Sequence, residues 1–165
     1  MFNRILQTFS RHARTNVLHS PLAGSVIPLS EVSDPTFAQG MLGQGVAVIP
    51  SGTRIVAPSD AKIEAIFPTG HAVAFHTVDG FDVLIHIGFD TVELDGKFFI
   101  VHVATGDLVK AGDVLLEFDR DALVSSGYDL TAPVLIRNSV EFSSIKGACG
   151  QTVRELDDLI TVRER

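Results

Sequence analysis

Thr69-Gly70-His71-Ala72-Val73-Ala74-Phe75-His76-Thr77-Val78-Asp79-Gly80-Phe81-Asp82-Val83-Leu84-Ile85-His86-Ile87-Gly88-Phe89-Asp90-Thr91-Val92 is the stretch whose reading decides the fold. Two apolar runs flank Asp79-Gly80, a dipeptide favoured in two-residue type I′ hairpin turns because both central residues need φ > 0. That turn predicts a register in which Val78 faces Phe81, Phe75 faces Leu84 and Val73 faces His86. Side chains alternate faces along a strand, which puts His71 on the face of His86 as its diagonal neighbour. Diagonal pairs lie roughly 7–8 Å apart at Cα, within reach of two imidazoles. His86 also interrupts Val83-Leu84-Ile85-His86-Ile87, where an apolar residue would pack better. A buried polar group there must be hydrogen-bonded or costs on the order of 1–3 kcal/mol. Function explains this pair better than packing does.

Working outward, 165 residues suit one domain with a sizeable single core. Hydrophobic residues make up 45%, charged residues 20%, and the mean hydropathy is +0.29, which argues against disorder. No apolar run approaches the ~20 residues of a membrane span, and the N-terminus lacks the apolar core of a signal peptide. The single cysteine, Cys149, excludes an internal disulfide and suits a reducing cytoplasm. A net charge of −7 disfavours nucleic acid, whose phosphates call for Lys and Arg. Arg4, Arg11 and Arg14 precede the first acid, Glu31, so a short basic tail is set against an acidic body.

Residues 1–18 place Phe2, Ile5, Leu6 and Phe9 on one helical face. Two readings stay open: a tail resting against the body, or a basic amphipathic segment (residues 1–14) making weak peripheral contact with anionic membrane. Residues 19–165 are expected to form the domain proper. There, short β-rich runs alternate with Gly, Pro, Ser and Asp punctuation. The expected strands are Gly24–Pro28, Gly45–Ile49, Arg54–Ala57, Lys62–Phe67, Ala72–Val78, Phe81–Ile87, Phe98–Val103, Val114–Phe118 and Pro133–Ile136. Asp119–Ser126 reads as a short helix, and 151–165 as a final strand with a charged tail. Many short strands at close spacing indicate an all-β sandwich or barrel.

Several chemistries are missing. There is no Gly-x-x-x-x-Gly-Lys-Ser/Thr phosphate loop, no strand–Gly-x-Gly-x-x-Gly–helix unit and no Gly-x-Ser-x-Gly elbow. Cys149 lies in Gly147-Ala148-Cys149-Gly150 with no basic neighbour to lower its pKa, the context of an inert thiol. Histidine remains. A neutral imidazole is a competent nucleophile near pH 7.

At these residues the chain resembles the glucose-family EIIA proteins of the bacterial phosphoenolpyruvate-dependent sugar phosphotransferase system. The resemblance is carried by Ser20-Pro21-Leu22-Ala23-Gly24, Gly43-Gln44-Gly45-Val46-Ala47-Val48-Ile49-Pro50, Gly70-His71-Ala72 and Leu84-Ile85-His86-Ile87-Gly88-Phe89-Asp90-Thr91-Val92. Val109-Lys110-Ala111-Gly112-Asp113 and Thr131-Ala132-Pro133-Val134 add to it, and the similarity runs from about Ser20 to about Val162. It implies an antiparallel β sandwich-barrel hybrid with short helical segments. It also implies that His86 accepts a phosphoryl group from the phosphocarrier HPr and passes it to a cysteine of an EIIB domain. His71 would stabilise that group, with Thr69 on the same strand hydrogen-bonding in the site. Asp34 and Asp90 would meet basic residues of the donor, and Phe37, Phe67, Leu84 and Val92 are candidates for an apolar rim. No cofactor is required; in some relatives the two histidines share a zinc ion with a regulatory partner. No EIIB cysteine motif or EIIC membrane segment is seen, so the chain reads as a stand-alone EIIA serving a membrane permease EIIBC.

Two rivals come from other classes. His86-Ile87-Gly88-Phe89-Asp90 is also a His-x-x-x-Asp pair, so a zinc-dependent hydrolase using His71, His86 and Asp90 is an alternative. It lacks a further His-x-His pair, since His102 stands alone in Val101-His102-Val103. A biotinyl or lipoyl carrier would need a modified lysine in a tight hairpin, and Lys62 in Ser59-Asp60-Ala61-Lys62-Ile63 lacks that motif.

Overall fold

The computed structural model describes residues 14–165. Its first five strands are β1 (Thr15–His19), β2 (Gly24–Pro28), β3 (Gln44–Pro50), β4 (Arg54–Val56) and β5 (Ala61–Ile66). Next come β6 (Ala72–Thr77), β7 (Asp82–His86), β8 (Phe99–Val101), β9 (Leu108–Val109) and β10 (Val114–Phe118). The last four are β11 (Ala132–Ile136), β12 (Phe142–Gly147), β13 (Thr152–Val153) and β14 (Asp158–Glu164). Among the described residues two short helices, α1 (Pro35–Ala38) and α2 (Arg120–Ser125), sit between strands. Among the described residues no helix is long and apolar enough to cross a membrane.

Among the described residues every strand pair is antiparallel, and the strands form three sheets. The largest runs β13-β2-β3-β11-β7-β6-β5-β9, and two three-stranded sheets run β1-β14-β12 and β4-β10-β8. All three supply one core. Leu18 and Ile160 enter it from one small sheet, Ile55 and Leu116 from the other, and Phe75, Ile85 and Val134 from the large sheet. Each fully buried side chain of this size contributes roughly 1.5–3 kcal/mol of transfer free energy. The result is an antiparallel sandwich, as the spacing of short runs predicts.

A second, smaller cluster lies on the outer face of the large sheet. Leu29, Val32 and Phe37 pack there onto Ala47, Leu135 and Phe89, with Leu84 at its edge. The segment that covers this face starts α1 with Asp34, whose carboxylate accepts the Thr36 N–H at 2.9 Å, and with Pro35 at the first helical position. This cap turns Phe37 inward (6% exposed) toward the end of β7.

Three expectations need correction. The hairpin is not a two-residue type I′ turn: Gly80 N–H donates to Thr77 O at 3.0 Å and Thr77 N–H to Phe81 O at 3.0 Å. The loop is therefore Val78-Asp79-Gly80, with Gly80 at φ +90°, the three-residue turn that places a glycine in the left-handed region. The register shifts by one, so that Ala72 pairs with His86 and Phe75 with Val83. Second, the body begins before residue 19. Thr15–His19 pairs with β14 and Leu18 is 1% exposed in the core, because a partner strand from the far end of the chain overrides the local pattern. Residues 1–13, which hold the amphipathic face and most of the expected membrane segment, lie outside the described residues. Third, β14 extends through Glu164, so the charged end belongs to a strand whose outward positions are polar.

Candidate functional site

His71 and His86 converge, although not by the predicted geometry. With Ala72 opposite His86, strict alternation would send His71 to the other face. His71 escapes it by preceding the ladder: the turn Pro68-Thr69-Gly70, closed by Gly70 N–H to Phe67 O at 2.7 Å, delivers it to the start of β6. His86 is the last residue of β7. The two rings meet edge to face with centroids 5.0 Å apart.

Each ring has one nitrogen held. Thr69 Oγ1 hydrogen-bonds His71 Nδ1; Thr69 lies in the turn before β6 rather than on the strand. His86 Nδ1–H donates to the Gly88 carbonyl at 2.6 Å. A carbonyl only accepts, so the proton sits on Nδ1 and the Nε2 lone pair is free. Burial, and then the neighbouring His86, push the His71 pKa down to about 4. Burial also lowers the His86 pKa, opposed by the Gly88 carbonyl and the charges of Asp34 and Asp90. Both rings are therefore neutral at pH 7.

The apolar surround is aromatic. Phe37 lies 5.2 Å from His86 and 5.8 Å from Phe89, and Phe67 lies 5.4 Å from His71, all centroid to centroid and tilted. Phe67 (43% exposed), packed on His71, and Val92 (53% exposed) are open to solvent, whereas Phe37 and Leu84 belong to the packed cluster on the outer face of the sheet. Exposure thus divides the four candidates, two outside and two packed. Asp34 and Asp90 both act on His86 by charge, and Asp90 is exposed with left-handed backbone at φ 61°. Phe89 is absent from the candidates read in the sequence. Its signal was its place in the His86 motif, three residues after the histidine.

Two imidazole nitrogens make half of a tetrahedral zinc shell. Asp90 does not close up with His71 and His86 into a three-ligand group. The grouping found among the described residues is Glu64, His76 and Asp82, elsewhere on the sheet, where Arg137 already pairs with Glu64 at 2.7 Å. The residues present do not complete a zinc site, and the zinc-hydrolase alternative has no support in this geometry.

Residues 16–142 match the family described as phosphoenolpyruvate-dependent sugar phosphotransferase system, EIIA 1. The glucose-specific EIIA component of Oceanobacillus iheyensis is 37% identical over 146 residues, covering 88% of each chain. The β-glucoside-specific EIIBCA component of Dickeya chrysanthemi is 47% identical over 133 residues, 81% of this chain. The chain spans only about a fifth of the length of such EIIBCA relatives, 21% in that case. Among solved structures, glucose permease IIA from Mycoplasma capricolum superposes with a TM-score of 0.82 at 31% identity, covering 90% of this chain and 96% of that one. With a histidine pair set among aromatic rings on an antiparallel sandwich, with a family match over residues 16–142, and with the Oceanobacillus and Mycoplasma proteins matching over most of both chains, the chain belongs to the EIIA 1 family of the phosphoenolpyruvate-dependent sugar phosphotransferase system.

Proposed function

We propose that His86 carries the phosphoryl group on Nε2, receives it from the phosphohistidine of HPr and gives it to a cysteine thiolate of an EIIB domain. The observation that carries this reading is the 2.6 Å bond from His86 Nδ1–H to the Gly88 carbonyl, which leaves Nε2 as an unprotonated nucleophile. In the first step the Nε2–P bond forms as the donor P–N bond breaks, and the donor imidazole leaves. In the second the thiolate attacks phosphorus and His86 Nε2 leaves. Phosphoryl transfer through a loose transition state asks for in-line positioning and charge stabilisation, which two proteins can supply together.

His71 is the stabilising group. With the Thr69 hydroxyl donating to its Nδ1, the remaining proton lies on Nε2, a donor for a phosphoryl oxygen. Phe37, Phe67 and Phe89 exclude water and protect the P–N bond from hydrolysis. Asp34 and Asp90 steer the basic donor surface. The membrane permease EIIBC chooses the sugar. A cytoplasmic place of action belongs to the same reading, in keeping with the single cysteine.

The test is a mixture of the protein with phosphoenolpyruvate, enzyme I and HPr, followed by intact mass and acid lability. One acid-labile phosphoryl group, lost in His86→Ala, is expected. A folded wild type that gains none overturns the proposal.

A further inference from the structure

We propose that Thr91 is a positioning residue for the reaction at His86. Its buried hydroxyl pins the Gly88 loop, so that the Gly88 carbonyl keeps the proton on Nδ1 and leaves Nε2 free to attack. This deepens the reading of His86 as phosphoryl acceptor and rests on it.

Gly88 has φ +71° and no side chain, so nothing of its own fixes the direction of its carbonyl. Its neighbours do. A Cβ built on Gly88 would meet Asp129 O at 2.7 Å and Thr91 Cγ2 at 3.0 Å, so these two residues fill the space beside it. The peptide after Gly88 is held on both edges: Phe89 N–H donates to Asp129 O at 3.1 Å, and the Gly88 carbonyl accepts His86 Nδ1–H. Asp129 is itself fixed, because its carboxylate accepts from Thr131 N–H at 2.9 Å and from Thr131 Oγ1–H at 2.7 Å.

The peptide before Gly88 is held likewise. Its carbonyl, that of Ile87, accepts Thr91 Oγ1–H at 2.6 Å, and one peptide earlier Ile87 N–H donates to His71 O at 2.7 Å. Thr91 is 0% exposed, so water does not compete for that bond. Thr91 thus locks one peptide plane beside Gly88, and Asp129 locks the other.

The consequence is chemical. When Nε2 attacks phosphorus, the ring becomes cationic with its proton retained on Nδ1, and the Gly88 carbonyl stabilises that charge. When Nε2 leaves to the thiolate, the same proton stays and the ring returns to neutral. Neither step moves a proton, provided the carbonyl holds its place. If it swings away, the proton is free to sit on Nε2 and block the lone pair.

Thr91→Val keeps the methyl contact and removes the hydroxyl, and Thr91→Ser keeps the hydroxyl. Nitrogen-15 NMR of histidine-labelled protein reads the His86 tautomer directly, and acceptance from phospho-HPr gives the rate. Wild type should show Nδ1–H only. Thr91→Val should show mixed tautomers and accept about tenfold more slowly. Thr91→Ser should keep the wild-type tautomer and a rate within about threefold. A Thr91→Val protein that keeps Nδ1–H overturns the proposal, even if its rate falls. Should Thr91→Val not fold, the serine variant decides: an unmoved tautomer supports the role, and a mixture overturns it. Failure of the acceptor reading looks different, since wild type would then take no phosphoryl group whatever its tautomer.

Discussion

His86 and His76 face the same side of one sheet, on adjacent strands, yet their surroundings differ sharply. His76 pairs across the ladder with Asp82, and its Nδ1–H donates to that carboxylate at 2.5 Å with half of the side chain in solvent. Glu64 adds a second carboxylate beside it, on the bulge between Ile63 and Ala65. His86, at the other end of the ladder, donates to a neutral carbonyl and lies against Phe37 and the buried His71. A carbonyl partner fixes the His86 tautomer without adding charge, and burial favours its neutral ring. One residue type on one sheet thus becomes a solvent-exposed carboxylate partner at one end and, in the proposed reading, the phosphoryl acceptor at the other.

The largest expected effect separates these two ends. His86→Ala should abolish phosphoryl acceptance from phospho-HPr, while His76→Ala should leave the rate within about twofold. A phosphorylated His86→Ala protein would break the contrast.

Next comes His71. His71→Ala should still accept the phosphoryl group but pass it to EIIB roughly 100-fold more slowly, the scale for losing one preorganised donor. His71→Gln, which retains an N–H donor, should recover part of the loss in the same transfer assay.

The neutral pair also sets a pH signature. The folded His71 pKa, about 4, lies below its ordinary value of 6.5, so the unfolded chain binds more protons between these limits. Its contribution to stability is full above pH 6.5 and is lost as pH falls toward 4. Urea midpoints should therefore drop from pH 7 to pH 5, and His71→Gln should flatten that slope. An unchanged slope would show that burial at the active end does not disfavour the charged ring.

The smallest effect belongs to the exposed end. Removing the Glu64–Arg137 pair with Glu64→Gln should cost less than about 1 kcal/mol by denaturant unfolding, as exposed ion pairs do. A larger loss would mean that this patch contributes to the fold more than its exposure implies.

Much of this was legible in one dimension. Gly24–Pro28 and Val114–Phe118 are strands with the limits their apolar runs suggest, and Asp119 caps α2 by accepting the Ala122 N–H at 3.0 Å. Strands whose partners are remote and whose faces are mostly wet were not. In β12 only Phe142, Ile145 and Gly147 escape full exposure, leaving too little alternation to mark it, and β1 reads like the end of a helical tail. Phe98 is left-handed with no glycine at its position to announce it, so the expected strand Phe98–Val103 begins one residue later, at Phe99.

By itself the sequence determined that the chain is all-β and that two histidines fifteen residues apart belong to one hairpin, and it pointed to histidine as the expected nucleophile. These rest on local periodicity and residue chemistry, which travel with the chain. The tertiary structure alone decided the register of that hairpin, the tautomer of His86 and the neutrality of both rings. Those depend on a glycine carbonyl held by Thr91 and Asp129, and on aromatic rings from α1 and the neighbouring turns. Desolvation and hydrogen-bond direction are properties of neighbours, and the neighbours are set only when distant segments pack.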